Sequence, residues 1–310
     1  MAGAVGPRGT CHGLLDGDCE APDFNLWDCT PVDLGQDRKF HLRFTVLTPT
    51  YNRIHTLGKV YESLCEQTFR DFEWIIIDDG STDGTRDLVA SWKPSFLVRY
   101  FWKANGGKHT AMNRGVAEAS GEFVLFADSD DSFKANALER FDYHWKRIPD
   151  PSRFANLSCL CCRRDGSIVG PAYPADCVDA FSYADQLRHR AVERWGINRT
   201  DILRQFPWPE GERFVPEGLV WNRISRQYAA RFVNEALRIY EPGPDGLASN
   251  STALRATSPR STLTYYRELA LSPAPVLYRL RAAINFGRFA VIATRQKLRR
   301  TSGARSKKIN

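Results

Sequence analysis

The chain has 310 residues, 43% hydrophobic and 25% charged, enough for one large or two modest folded domains with an ample core. No run of about 18 uncharged apolar residues occurs, so no spanning helix is expected. The eight cysteines show no disulfide framework. The formal net charge of +7 is uneven: residues 267–308 carry 11 Lys+Arg against one acid, Glu268, leaving 32 basic and 35 acidic residues elsewhere. A slightly acidic body with a basic tail points to an anionic partner for the tail.

In chain order, residues 1–40 are rich in Gly, Asp and Pro without a period and read as an irregular extension. They lack the apolar stretch of a signal peptide, so a cytoplasmic protein is expected. Regular structure starts at FTVLTP (44–49), an apolar β-rich run closed by proline. Ile54, Leu57, Val60 and Leu64 then recur at helical spacing. EWIIIDDGS (73–81) is a second buried strand ending in acids, and STDGTRDLVASW opens with capping residues and continues as a helix. VRYFW (98–102) is a third strand, GGKHTAMNRGVAEA a helix and GEFVLFA (121–127) a fourth strand. Strands alternating with helices of this length predict a parallel sheet covered on both faces. Ligands of such sheets bind at the carboxyl ends of the strands.

Four polar clusters follow those strands: Thr50-Tyr51-Asn52-Arg53, Asp78-Asp79, Lys103-Ala104-Asn105 and Asp128-Ser129-Asp130-Asp131. They should therefore meet on one rim. Asp78-Asp79 can accept hydrogen bonds from a base edge or sugar hydroxyls, or can serve a turn and helix cap. Three carboxylates within Asp128–Asp131 repel one another unless solvated, protonated or neutralised by a cation. Mg²⁺ or Mn²⁺ suits such oxygens together with substrate phosphates. Arg53, Lys103 and Lys108 can add positive charge there, and Gly106-Gly107 before a helix suits an anion. Each of these also has an ordinary reading as a solvated side chain or a loop.

The ordered series TPTYNR, IIIDDGSTDGT, NGGKHTAMNRG, GEFVLFADSDD closely resembles the inverting family 2 glycosyltransferases of the GT-A fold, from about Phe44 to Ser132. The resemblance implies an α/β GT-A nucleotide-diphospho-sugar transferase fold, with a mostly parallel, Rossmann-like sheet flanked by helices. It implies that Pro49, Tyr51, Arg53, Asp78, Asp79, Asn105 and Lys108 hold the nucleotide, usually that of a UDP-sugar. Asp128, Ser129 and Asp130 would face the donor diphosphate, with Asp128 and Asp130 as ligands of Mn²⁺ or Mg²⁺. On this reading residues 41–132 are the nucleotide-sugar half and 133–245 the acceptor half. Residues 246–310 would form a helical tail.

Further on, LSCLCCRRDGSIVG reads as strand, turn and strand around Asp165-Gly166. Cys159 and Cys162 form a CxxC that serves either a metal or redox role or simply a buried strand. The resemblance also implies a carboxylate base four residues before a tryptophan at a helix start. Glu217 and Trp221 in PEGLVW fit, although glycine follows Glu217 where the family usually has aspartate. Glu217 as a first-turn acid favouring the helix N-terminus is the plain alternative. Glu210 and Glu212 compete for the role and otherwise read as solvated loop acids.

Residues 275–300 place Val276, Leu280, Ile284, Gly287 and Val291 on a helix that also carries Arg279, Arg288 and Arg295. This basic amphipathic helix either lies on an anionic membrane surface at the inner face or packs on the body. No nucleic-acid partner is expected, because no recognition fold accompanies the charge. SGARSKKIN at the end reads as disordered. The expected activity is transfer of a sugar to a hydroxyl of a glycan or lipid-linked acceptor, with inversion, in bacterial polysaccharide, envelope glycan or glycolipid synthesis. A metal-dependent nucleotidyltransferase would instead release pyrophosphate and need no base such as Glu217. An inactive nucleotide-sugar-binding module is the third reading.

Overall fold

The computed structural model describes residues 41–190, 193–240 and 251–306, all within one compact unit, Asp37–Asn310. The expected extension, residues 1–40, lies outside the described residues. In the first half, β1 (Leu42–Thr50), α1 (Leu57–Cys65), β2 (Phe72–Asp78), α2 (Thr85–Ser91), β3 (Leu97–Trp102), α3 (Lys108–Glu118) and β4 (Gly121–Phe126) alternate as expected. Next come β5 (Ser132–Phe133), α4 (Ala137–Trp145), β6 (Phe154–Cys162), β7 (Cys177–Ala180), α5 (Tyr183–His189), β8 (Trp195–Arg199), α6 (Thr200–Gln205), α7 (Gly218–Ile224) and β9 (Ala229–Ile239). The chain closes with α8 (Ser251–Thr257), α9 (Pro259–Ala270) and α10 (Val276–Ser306).

The sheet runs in the order β3-β2-β1-β4-β8-β6-β9-β5, with β7 also paired to β9. Its first four strands are parallel. β8 enters antiparallel to β4, and beyond it the pairing is mixed. The parallel character is therefore a property of the first half. That half also explains why its strands were readable: alternate residues of one strand feed two cores. Phe44 and Val46 of β1 join Trp74 and Ile76 of β2 under α1 and α4, while Leu47, Ile75 and Ile77 face α3, α6 and α7. A strand buried on both faces reads as one apolar run.

Helix α3 seats very close to β1. A Cβ at Gly115 would lie 2.1 Å from Leu47 Cδ1, so only glycine allows that approach. The expected hairpin after β6 is reduced. Gly166 turns the chain at φ 83°, but the return makes a single bridge, Cys162 to Ile168, rather than a strand. Cys159 and Cys162 are buried free thiols in β6, and burial pushes the Cys159 thiol well above its usual range. Helix α10 continues to Ser306, so the first part of the end segment expected to be disordered is helical, while residues 307–310 lie outside the described residues.

Candidate active site

The site lies where the parallel strands end. Thr50 of β1 pairs with Asp78 of β2, and Asp78 with Trp102 of β3, so the first three loops leave the sheet side by side. The loops are then tied together. Asn52, in the left-handed region at φ 50°, donates its N–H to Ser81 Oγ at 2.8 Å and accepts from the Thr82 N–H at 2.8 Å. Asp79 N–H donates to Thr50 O at 2.8 Å. Pro49 stays within β1, and Tyr51 stands half exposed beyond it.

The β2 acids are buried and occupied. Asp78 accepts from Ser81 N–H at 2.7 Å and from the Tyr100 hydroxyl at 2.5 Å. Burial, then the Asp78 carboxylate, pushes the Tyr100 phenol well above its usual range, so it stays a donor. Asp79 accepts from Lys103 Nζ at 2.6 Å, Gly106 N–H at 2.9 Å and Gly107 N–H at 2.8 Å. The glycine amides expected to meet a ligand anion thus meet Asp79, and Lys103 is committed to the same carboxylate. Gly107 sits at φ 99°, where a Cβ would come within 2.4 Å of Arg213 O. Asn105 accepts from Arg213 at 3.0 Å.

The β4 acids are arranged differently. Asp131 is buried and clamped: Arg238 Nε donates to it at 2.6 Å, and it accepts the Asp128 N–H at 2.9 Å. Burial, together with the Asp128 and Asp130 charges, pushes Asp131 up to about 7 against the pull of Arg238. Arg238 also reaches Glu193 at 2.7 Å. This clamp gives Asp131 a structural task and shapes the turn that presents Asp128, buried Ser129 and Asp130. Asp130 has no hydrogen bond or ion pair among the described residues. Asp128 binds Lys108 Nζ at 2.7 Å, and the same ammonium binds Glu217 at 2.8 Å. Burial opposes the Lys108 charge, but Asp128 and Glu217 outweigh it and lift its pKa above the ordinary lysine range. Burial likewise opposes the Asp128 charge, yet Lys108, Arg238 and Arg53 hold its carboxyl below the usual range.

Glu217 is the residue before α7, and its side chain makes no capping bond. It turns to Lys108 instead. What aims it is an aromatic cluster four residues on: Trp221 lies 5.3 Å from Trp208 and 5.9 Å from Phe126, ring centre to ring centre. Phe126 ends β4, and its carbonyl accepts from Trp195 Nε1 at 2.7 Å. The cluster therefore locks the start of α7 to the strand that delivers Asp128. The two competing acids each carry hydrogen bonds, although Glu210 is also exposed to solvent. Glu210 accepts from Asn113 at 2.9 Å, and Glu212 accepts from the Arg260 and Ser261 N–H groups at the start of α9.

Among the described residues no group of three or more His, Cys, Asp or Glu is arranged to hold a metal ion. Asp128 and Asp130 supply two carboxylates on one turn, and a Mg²⁺-type site commonly uses one or two together with substrate phosphates. The donor set thus fits a hard divalent cation. Sequence reasoning missed Arg238, Trp195 and Arg213, because each acts on a partner far away in the chain.

Residues 45–150 match the family described as Glycosyl transferase family 2. The architecture is that of the GT-A glycosyltransferases: a crystal structure of S. aureus TarS superposes with a TM-score of 0.60 at 19% identity, covering 80% of this chain and 71% of that one. A mannosyltransferase from Pyrobaculum calidifontis, solved with GDP-Man and Mn²⁺, gives a TM-score of 0.55 at 18% identity, covering 86% and 78%. This segment of the chain is a family 2 glycosyltransferase segment. In sequence it is 41% identical over 97 residues to an uncharacterized glycosyltransferase of Rickettsia felis, covering 31% of this chain and 16% of that protein. It is 38% identical over 99 residues to the GalNAc(5)-diNAcBac-PP-undecaprenol beta-1,3-glucosyltransferase of Campylobacter jejuni, covering 31% and 32%. The chain thus spans under a third of the length of these curated relatives.

Proposed function

We propose that the protein transfers a sugar from a nucleoside-diphosphate donor, most suitably a UDP-sugar, to a hydroxyl of a glycan or lipid-linked acceptor, with inversion. One observation carries this reading. A metal-type acid, Asp128, and a separate acid, Glu217, share one ammonium although 89 residues separate them (2.7 and 2.8 Å from Lys108 Nζ). A carboxylate pair flanking one cleft provides a donor-phosphate side and an acceptor side. The TarS structure solved with UDP-GlcNAc has a TM-score of 0.59 to this chain, which supports a uridine donor. The undecaprenol-linked substrate named for the Campylobacter relative supports a glycolipid acceptor.

In this scheme Pro49, Tyr51, Arg53 and Asn105 receive the nucleoside side of the donor, and Asp78, already bonded to Ser81 and Tyr100, adds a remaining lone pair to it. Asp79 braces the 103–107 loop behind them. Asp128 and Asp130 would hold Mn²⁺ or Mg²⁺, which neutralises diphosphate charge. Glu217 takes the proton of the acceptor hydroxyl as its oxygen bonds to the anomeric carbon. The bond from that carbon to the diphosphate oxygen breaks, and its electron pair leaves with the nucleoside diphosphate. Lys108 and Arg53 stabilise that departing charge. A single displacement inverts the anomeric centre.

The test is a thermal-shift panel of UDP and GDP with and without Mn²⁺, on wild type and Asp130→Ala. A ligand that binds the folded state raises Tm by mass action. A Mn²⁺-dependent shift with UDP that Asp130→Ala loses supports the site. Absence of any nucleotide shift sinks it, pyrophosphate release would favour nucleotidyl transfer, and a retained anomeric configuration in the product refutes Glu217 as the base of a single displacement.

A further inference from the structure

Helix α10 is 31 residues long, about 45 Å at the usual rise. It packs on the body through one face only. Ala282 and Phe289, seven residues apart, are buried against α9, with the Phe289 ring stacked 5.6 Å from Tyr266. The opposite face is apolar and exposed. Val276, Leu280, Ile284 and Val291 follow the spacing of a single helical stripe, and Ile284 is 71% exposed. A Cβ added at Gly287, on the same stripe, would meet nothing within 4 Å. Along one edge of it run Arg281, Arg288 and Arg295, again at seven-residue steps and exposed. Of the two expectations for this helix, the stripe itself does not pack on the body.

We propose that this face of α10 docks the protein on an anionic lipid surface, lying in the interface with its apolar stripe inserted and its arginines at the headgroups. The charge pattern selects this occupant. An interfacial helix combines an apolar face with flanking basic residues, and each arginine near an anionic surface adds attraction. A second copy of the same face would bring two arginine rows together. The one acid between residues 267 and 308, Glu268, is already paired with Arg223 at 2.7 Å. No helix among the described residues is long and apolar enough to cross a membrane. The proposal goes beyond the transferase reading and does not rest on it, because docking needs neither donor nor acceptor.

The full chain is floated with vesicles of phosphatidylcholine alone and with added phosphatidylglycerol. Binding is expected only with phosphatidylglycerol and should weaken with salt. Ile284→Asp with Val291→Asp should lower it about tenfold or more, since two apolar side chains lose their insertion. Arg281→Glu with Arg288→Glu should lower it about fivefold per residue. Both pairs replace exposed side chains, and an unchanged Tm confirms the fold. Equal recovery on both vesicles, no recovery on either, or Asp variants that float like wild type overturns the proposal. So does light scattering that shows a dimer dissolved by Ile284→Asp, which would assign the face to a second copy. A nucleotide-binding failure in the thermal-shift panel leaves the flotation result standing, so the two readings fail separately.

Discussion

Strands β2 and β4 both end in acids at the same rim, and the protein treats the two sets in opposite ways. Asp78 and Asp79 are buried, and their oxygens are filled by Tyr100, Lys103 and the Ser81, Gly106 and Gly107 amides. After β4, Asp131 is filled in this manner, by Arg238 and the Asp128 amide, while Asp130 has no partner among the described residues and Asp128 is ion-paired to a lysine. A carboxylate at a strand end is thus no sign of a ligand by itself. What separates the two sets is who supplies the donors: backbone amides contribute to holding both Asp78 and Asp79, whereas the Asp128 side chain meets a lysine ammonium shared with Glu217.

The sharpest way to break this contrast is through Glu217, which shares that ammonium. If Glu217 is the base, Glu217→Gln should cut kcat by about 10²–10⁴-fold with only a modest fall in Tm, because the Lys108 ammonium loses one carboxylate but keeps Asp128 and the new amide oxygen. Activity within a few-fold of wild type in a coupled nucleoside-diphosphate release assay would remove Glu217 from the chemistry. The closed side should respond in the reverse sense. Asp79→Ala takes the acceptor from the Gly106 and Gly107 amides and one partner from the half-buried Lys103, so urea unfolding should show a loss of about 1–3 kcal/mol. Asp130→Ala, by comparison, should stay within about 0.5 kcal/mol. Equal losses from the two would mean that the two rims do not differ.

The smallest expected effect lies away from the rim and calibrates it. Arg140 first, and then His144, hold the Glu235 carboxyl below its ordinary value against the effect of burial. A depressed carboxylate stabilises the folded state above its unfolded pKa, near 4.5, and that contribution is lost as pH falls through the lower folded value. Glu235→Gln should therefore flatten the fall in Tm below about pH 4.5, by less than about 1 kcal/mol for a partly exposed pair. An unchanged acid limb would show that the pair contributes nothing measurable.

Strands β1, β2 and β4 were legible because their residues feed cores on both faces, the half-buried edge strand β3 because it is a short run of β-formers, and the loops because they carry punctuation such as Pro49, Gly80 or Gly106-Gly107. The four rim clusters followed from strand ends alone. The second half was not legible in the same way. β9 carries Arg231, Asn234, Glu235 and Arg238 within one strand, and those residues are satisfied by partners far away, Asp131 for Arg238 and Asp179 for Arg231. No local period signals such a strand. Glu210 and Glu212 looked like solvent acids for the same reason, since Asn113 and the α9 amides that hold them are remote in the chain. Helix α10 was legible as amphipathic, but the buried choice of Ala282 and Phe289 over the richer apolar stripe depends on the shape of α9.

The ammonium of Lys108 acts as a built-in counter-ion. It offsets one of the two carboxylate charges around it before any ligand arrives. On the proposed reading an incoming cation would displace a charge of its own sign, and the displaced lysine would need a new anion. A diphosphate is that anion. Cation and donor are in this way partners in a swap: each makes room for the other, and neither gains as much by entering alone. On the proposed reading the same swap would free the Glu217 carboxylate only with a donor in place, so that the substrate itself would unmask the base.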